Sequence, residues 1–202
     1  MTDGLLPLFP LPLVLLPQNP LPLHIFEERY REMIGEAIEN DSEFGIVMAA
    51  EGGVVNVGCT ATIERVLERF EDGRINIATV GRRRFEVLSI NEERSFLRGE
   101  VRFFEDDDDI ASPDLAEQAI AAAPKHEGIG PLLSFDLGRE VRDLNLRQQL
   151  LMSRSENDRL RLLIDFFPAQ TVRDAYKERM KILAIRNGHG HKGPGAKLDE
   201  GH

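Results

Sequence analysis

The chain has one cysteine, Cys59, among its 202 residues. That excludes an internal disulfide framework and suits a reducing compartment, so a cytoplasmic location is expected. Long apolar runs are missing too, since no stretch approaches the roughly 20 residues that span a bilayer. The most apolar segment, Leu5 to Leu16, is punctuated by Pro7, Pro10 and Pro12, is followed by Pro17, and has Asp3 as its leading charge. A secretory signal needs a positive start and an unbroken apolar core, so this segment is expected to be part of the fold. Positive charge is scarce: 25 Lys and Arg stand against 35 Asp and Glu, a formal net charge of -10 with a pI near 5.0. Binding to nucleic acid or an anionic membrane draws on phosphate neutralisation, so the default partner is a protein or a small molecule. Glycine–lysine pairs are also absent. The lysines are Lys125, Lys177, Lys181, Lys192 and Lys197, none preceded by glycine, so a Walker A loop cannot be built.

What is present suits a globular chain. Hydrophobic residues make up 42% of it, enough to bury a core in one domain or two small ones without metals or cross-links. The first half reads as strands. Leu97, Gly99, Val101 and Phe103 alternate with Arg98, Glu100 and Arg102, the period-two pattern of a strand with one wet face. Ile75 and Ile77, then Phe85 and Val87, repeat that pattern. Asp72-Gly73 and Gly52-Gly53 are hairpin turns by composition, and Gly58 and Gly81 are placed at strand edges. A helix over residues 26–39 interrupts the strands, with Phe26, Tyr30, Met33, Ile34, Ala37 and Ile38 on one face and an end at Asn40-Asp41. The prolines before it belong at sheet edges or turns, because they lack an N–H.

The second half changes character after the acidic run Glu105 to Asp109, expected to be a solvated, extended hinge. Ser112-Pro113 starts a helix, and Ser155-x-x-Asp158 and Thr171-x-x-Asp174 have capping-box spacing. Two helices separated by Pro168 follow, with stripes Leu160, Leu163, Ile164, Phe167 and Val172, Ala175, Tyr176, Met180, Leu183. A loop is expected between Lys125 and Gly138. The division is therefore a β subdomain over residues 1–110, a helical subdomain over 111–188, and a disordered tail over 189–202, where little is apolar.

The ordered set Leu5-Leu6-Pro7-Leu8-Phe9-Pro10-Leu11, Leu15-Leu16-Pro17 and Leu21-Pro22-Leu23-His24-Ile25-Phe26-Glu27-Glu28-Arg29-Tyr30 resembles the start of the Lon protease N-terminal domain family, especially its stand-alone members. The resemblance continues through Phe44-Gly45-Ile46-Val47, Val57-Gly58-Cys59-Thr60-Ala61, Asp72-Gly73-Arg74, Gly81-Arg82-Arg83-Arg84-Phe85 and Ser155 to Leu163. It implies an α+β fold: a PUA-like pseudo-barrel of strands with one helix, followed by a small helical bundle. It also implies a role in holding substrate polypeptide, the part this region plays beside the separate ATPase and protease domains of Lon. No Ser–Lys protease region is resembled, and the chain is expected to be too short for one, so a peptidase label would describe ancestry. Two departures stand out. Leu16-Pro17-Gln18 replaces the family's frequent Phe-Pro-Gly, leaving that turn open to a different geometry, and Glu28 replaces a proline that suits a first helical turn equally well.

Other chemistry has bland alternatives. Cys59 could be a nucleophile with His24 as base, or a small buried hydrophobe beside Gly58. His24 could instead hold a turn. His189, His191 and His202 sit on a glycine-rich chain without support for a defined metal site, and Glu105 to Asp109 lacks EF-hand spacing. Arg82-Arg83-Arg84 is the best case for an RNA surface, but strand alternation would point Arg82 and Arg84 one way and Arg83 the other. The reading is a non-catalytic polypeptide-binding module with no cofactor, no metal and no catalytic residue. It would act in a groove between strands and helices whose residues the sequence does not assign, with a protease or chaperone supplied in trans. An RNA-binding PUA-like module and an enzyme of unrecognised chemistry are the alternatives.

Overall fold

The structure, a computed structural model, describes residues 4–107, 110–124 and 132–188, with side chains to residue 182. The expected tail over 189–202 lies outside them. The elements run β1 (Leu6–Leu11), β2 (Pro20–Ile25), α1 (Glu28–Glu39), β3 (Phe44–Ala50), β4 (Gly53–Arg69), β5 (Ile75–Asn91) and β6 (Arg98–Phe104). Then come α2 (Pro113–Ala122), α3 (Leu133–Leu137), a 3-10 turn over Gly138–Glu140, α4 (Leu144–Met152) and α5 (Glu156–Gly188).

The strands form one six-stranded sheet in the order β2-β5-β4-β3-β1-β6, and β6 returns to pair with β5. Among the described residues, only β1 and β3 run parallel. The sheet therefore curls into an irregular barrel, with β2 outside the closure on the far half of β5. Long β4 and β5 make this curl possible because bulges interrupt their ladder at Cys59/Ala61, Ile63/Arg65 and Val66/Glu68. Each bulge sharpens the local bend. β2, with Pro20 and Pro22, is an edge strand as its prolines demand, whereas β1 lies between β3 and β6. Gly58 and Gly81 lie inside strands rather than at their edges. A Cβ on Gly58 or Gly45 would come within 2.6 Å of the Phe85 ring, so both stay bare to let that ring fill the barrel.

α1 begins at Glu28, after the start expected at residue 26, because the ladder with β5 holds the backbone extended through Ile25. Phe26 is left outside the helix and 61% exposed. Tyr30, Met33, Ile34 and Ala37 form the buried face, and Asn40 caps the end as expected. The turn before β2 keeps its hand despite the missing glycine. Asn19 N–H donates to the Leu16 carbonyl at 3.2 Å, Pro17 and Gln18 sit between, and Gln18 has φ 60°. Its N–H also reaches the Gly81 carbonyl at 2.8 Å, which holds a non-glycine residue in the left-handed region.

In the helical half, Pro113 starts α2 as expected, and Ser155 Oγ accepts from the Asp158 N–H at 3.1 Å. Three expectations change. Residues 133–140 are helical rather than loop, while 125–131 lie outside the described set. Pro168 does not separate two helices, because α5 runs through it for 33 residues. Proline removes one N–H rung at about 3 kcal/mol, a cost that the burial of Leu160, Leu163 and Phe167 on the preceding turns can carry. Thr171, read as a cap, lies mid-helix and donates its hydroxyl to the Phe167 carbonyl at 3.0 Å. The stripe Val172, Ala175, Tyr176, Met180 packs on nothing described, since residues 171–182 are exposed all round.

One apolar cluster runs from Phe9, Ile46 and Ile77 in the strands to Leu150, Leu160 and Phe167 in the helices. Through it passes a group of charges that the sequence had placed elsewhere. Asp106, read as solvated hinge, accepts from both Arg84 of β5 and Arg159 of α5. Arg159 is fully buried, Arg84 is 5% exposed, and both guanidinium groups lie over the Phe135 ring at 4.3 and 5.4 Å. Arg159 also reaches Glu156 at 2.6 Å and Ser134 Oγ at 2.7 Å, and both arginines donate to the Ser153 carbonyl. Burial lowers the proton affinity of Arg84. Burial acts on Arg159 as well, but the hydrogen bonds that it donates to Asp106 and Glu156 together outweigh it and the net shift is upward. Two cations thus meet two carboxylates at the seam between sheet and helices.

Deleting one partner of such a buried group strands the others. Asp106→Ala is expected to lower the unfolding free energy by about 3 kcal/mol, read from urea denaturation. Gln18→Gly removes the left-handed penalty and is expected to stabilise by about 1 kcal/mol, read as a rise in Tm.

Candidate functional site

The proposed nucleophile and base are not brought together. Cys59 sits opposite Arg84 in the β4–β5 ladder, and His24 sits opposite Asn76 in the β2–β5 ladder. Those positions on β5 are separated by on the order of 25 Å of extended chain. Cys59 is fully buried, donates weakly to the Thr60 carbonyl at 3.4 Å, and has its pKa pushed up to about 12, chiefly by burial. It is a thiol at every physiological pH. Because the thiolate is the reacting species, iodoacetamide at pH 8 is expected to leave Cys59 untouched in the native protein and to label it fully in urea, counted by intact mass.

His24 belongs to a surface relay. Asn76 donates its amide to Glu68 at 3.1 Å, so its Oδ1 accepts, and the 2.6 Å contact from His24 Nδ1 places the imidazole proton there. The ring stacks on Phe26 and meets Phe70 edge-on, each at 6.0 Å between centroids. This arrangement orients the ring on the β2–β5–β4 wing.

The arginine run does not build a basic face. A bulge gives β5 an extra residue opposite Thr60, whose hydroxyl accepts the Arg83 N–H at 2.9 Å. Simple alternation therefore fails: Arg82 and Arg83 are both exposed, and Arg84 is buried. Arg82 donates to Thr62 Oγ1 at 2.9 Å. Arg83 pairs with Glu43 at 2.8 Å and lies 3.9 Å over the ring of Phe103. Among the described residues, no three His, Cys, Asp or Glu side chains gather where they could hold a metal. His189, His191 and His202 lie outside those residues.

Two grooves flank the end of β6. One, about 690 Å³, lies where the sheet meets the helices, with Val57, Phe103, Phe104 and Met152 as its apolar lining and Arg102 and Arg154 at its rim. The other, about 680 Å³, lies on the opposite side of β6 against α1, where Leu6, Met33, Phe96, Val101 and Phe103 meet Arg83 and Arg94. Their cations are already matched: Arg102 with Glu86 at 2.5 Å, Arg154 with Asp107 at 3.2 Å, and Arg94 with Glu32 at 2.6 Å. Such grooves can hold apolar side chains through dispersion and burial, but they have no surplus charge with which to select phosphate. Sequence reasoning missed them. Alternation marked Phe103 as an inward residue, yet it is 39% exposed, and Met152, 49% exposed, carries no periodic signal of its own.

Among the described residues, no helix is long and apolar enough to cross a membrane. Comparison with known proteins gives a consistent picture. A Lon protease from Parabacteroides distasonis is 32% identical over 110 residues, a match covering 50% of this chain and 13% of that protein. The crystal structure of a Lon N-terminal domain protein from Xanthomonas campestris superposes with a TM-score of 0.68 at 27% identity, over 80% of this chain and 98% of that one. The N-terminal domain of a Mycobacterium avium complex Lon protease shares the fold, with a TM-score of 0.55 at 19% identity over 81% and 98% of the two chains. The family model of the ATP-dependent protease La (LON) substrate-binding domain matches residues 5–188, and the chain belongs to that family.

Proposed function

We propose that this chain binds unfolded or partly folded polypeptide without chemistry of its own, and that the groove between β6 and the end of α4 is where it does so. The observation that carries this reading is the groove's composition. Val57, Phe103, Phe104 and Met152 give it apolar surface, and its rim arginines are neutralised by Glu86 and Asp107. Apolar contact of this kind tolerates many sequences, which is what a binder of unfolded chains requires. The membership in a substrate-binding domain family points the same way. The buried, protonated Cys59 and the distance from it to His24 count against an enzyme built on those two residues. The dispersed arginines count against the RNA-binding alternative. A protease or chaperone acting in trans would receive the held chain, in the cytoplasm that a lone buried thiol suits.

The test is fluorescence anisotropy with labelled, unfolded casein. The native chain should bind it, and Met152→Glu should raise Kd about tenfold with an unchanged Tm, since the charge enters an apolar groove at an exposed position. A structured RNA titrated in parallel should show no binding. Tight RNA binding that weakens steeply with salt, with no affinity for casein, would overturn the reading.

A further inference from the structure

Among the described residues, the strand pairing leaves one stretch of sheet without a neighbour. β5 holds β6 along its length, from Asn91↔Arg98 to Arg84↔Phe104. On the other side of β6, β1 pairs only through Pro7↔Arg98 and Leu6↔Gly99. Gly4 has φ 75°, outside the extended region, so among the described residues β1 does not continue beside Val101 to Phe104. Among the described residues no other strand lies on that side.

The direction of the open backbone groups follows from the ladder. In an antiparallel pair, successive residues point their N–H and C=O groups to opposite edges. Leu8 N–H donates to the Leu97 carbonyl at 2.8 Å, so the odd-numbered residues here face β1. Val101 and Phe103 therefore face outward. The bulge in this part of the β5–β6 ladder puts its extra residue in β5, at Leu88, and leaves the alternation of β6 intact.

Side chains on the two faces of this edge reach different grooves. Val101 and Phe103 line the groove against α1, while Arg102 and Phe104 line the groove against α4, with Phe103 touching both. An extended strand laid along the edge would send alternate side chains into the one groove and the other. Both volumes, about 680 and 690 Å³, lie within the roughly 300–1,000 Å³ range of ligand sites. We infer that the open edge of β6, Val101 to Phe104, takes an extended apolar polypeptide segment as an added strand. The inference rests on the polypeptide-binding reading and specifies how the segment is held.

The occupant is set by the chemistry. Outward N–H and C=O groups in a row are matched by another extended backbone, whereas a helix spends its own groups internally. Backbone pairing is indifferent to sequence, and each groove would favour large apolar side chains at the alternate positions that face it. The charges nearby do not select an acidic partner, because Arg83, Arg94 and Arg102 each already face a carboxylate of this chain.

The test uses a short fluorescein-labelled peptide of alternating leucine and serine, followed by anisotropy. Val101→Pro removes one outward N–H that β5 does not use, so affinity should fall about tenfold or more while Tm holds. Peptides N-methylated at every second residue provide an arm that needs no variant: methylation in one phase should abolish binding and in the other phase should leave it. Amide exchange should be fast at Val101 and Phe103 in the free protein and slow once peptide is added. Equal binding by both methylated peptides would overturn the inference, as would slow exchange in the free protein or a dimer that Val101→Pro dissolves. If casein binding persists in Val101→Pro at full strength and still falls in Met152→Glu, strand addition fails while the polypeptide reading stands.

Discussion

Two guanidinium groups and two carboxylates meet around the ring of Phe135, and the relation of sheet to helices depends on them. Arg84 arrives on β5, Asp106 just after β6, and Glu156 and Arg159 on the first turn of α5. Each cation is too deeply placed to be left alone, so the anions must come to it. Asp106 cannot swing free as a hinge residue, and α5 must start where its first turn can reach β5. The carbonyl of Ser153, at the end of α4, is caught between the same two arginines. Neighbouring contacts reinforce the seam: Gln148 of α4 donates to the Val57 carbonyl at 3.0 Å, and Arg147 to the Val14 carbonyl at 3.1 Å.

Fixing the end of α4 in this way creates the groove. Met152 and Arg154 lie on either side of Ser153, so the anchoring of its carbonyl sets their distance from Phe103 and Phe104. The barrel contributes the rest because β1 covers only the first part of β6. β1 pairs with β6 only up to Leu6↔Gly99, and among the described residues the rest of β6 stands between two grooves with one edge unpaired. Edge strands usually carry charge or bulges against unwanted pairing. Here Glu100 and Arg102 supply some charge, yet Phe103 stays partly exposed beside Arg102.

Much of the architecture could be read from residue order. Alternation located β5 and β6, Asp72-Gly73 the hairpin between β4 and β5, and Ser112-Pro113 and Ser155-x-x-Asp158 the starts of α2 and α5. The failures share a cause: each assumed that local pattern runs on undisturbed. A bulge at Thr60 broke the alternation of Arg82, Arg83 and Arg84. Pro168 looked like a break, but a helix anchored by burial on its earlier turns carried through it. Val172, Tyr176 and Met180 have the spacing of a packed face, and spacing cannot say whether a neighbouring element is there to cover it.

By itself the sequence determined the type of most elements and the family to which the chain belongs. Those depend on periodicity, turn residues and the order of short motifs, all of them local along the chain. Tertiary structure alone decided that Asp106 is a structural anion rather than a solvated one, that Cys59 is a buried thiol far from His24, and that among the described residues β1 covers only one end of β6. Burial, charge pairing and strand neighbours are properties of residues distant in sequence. They come into being only when the sheet curls and the helices dock against it.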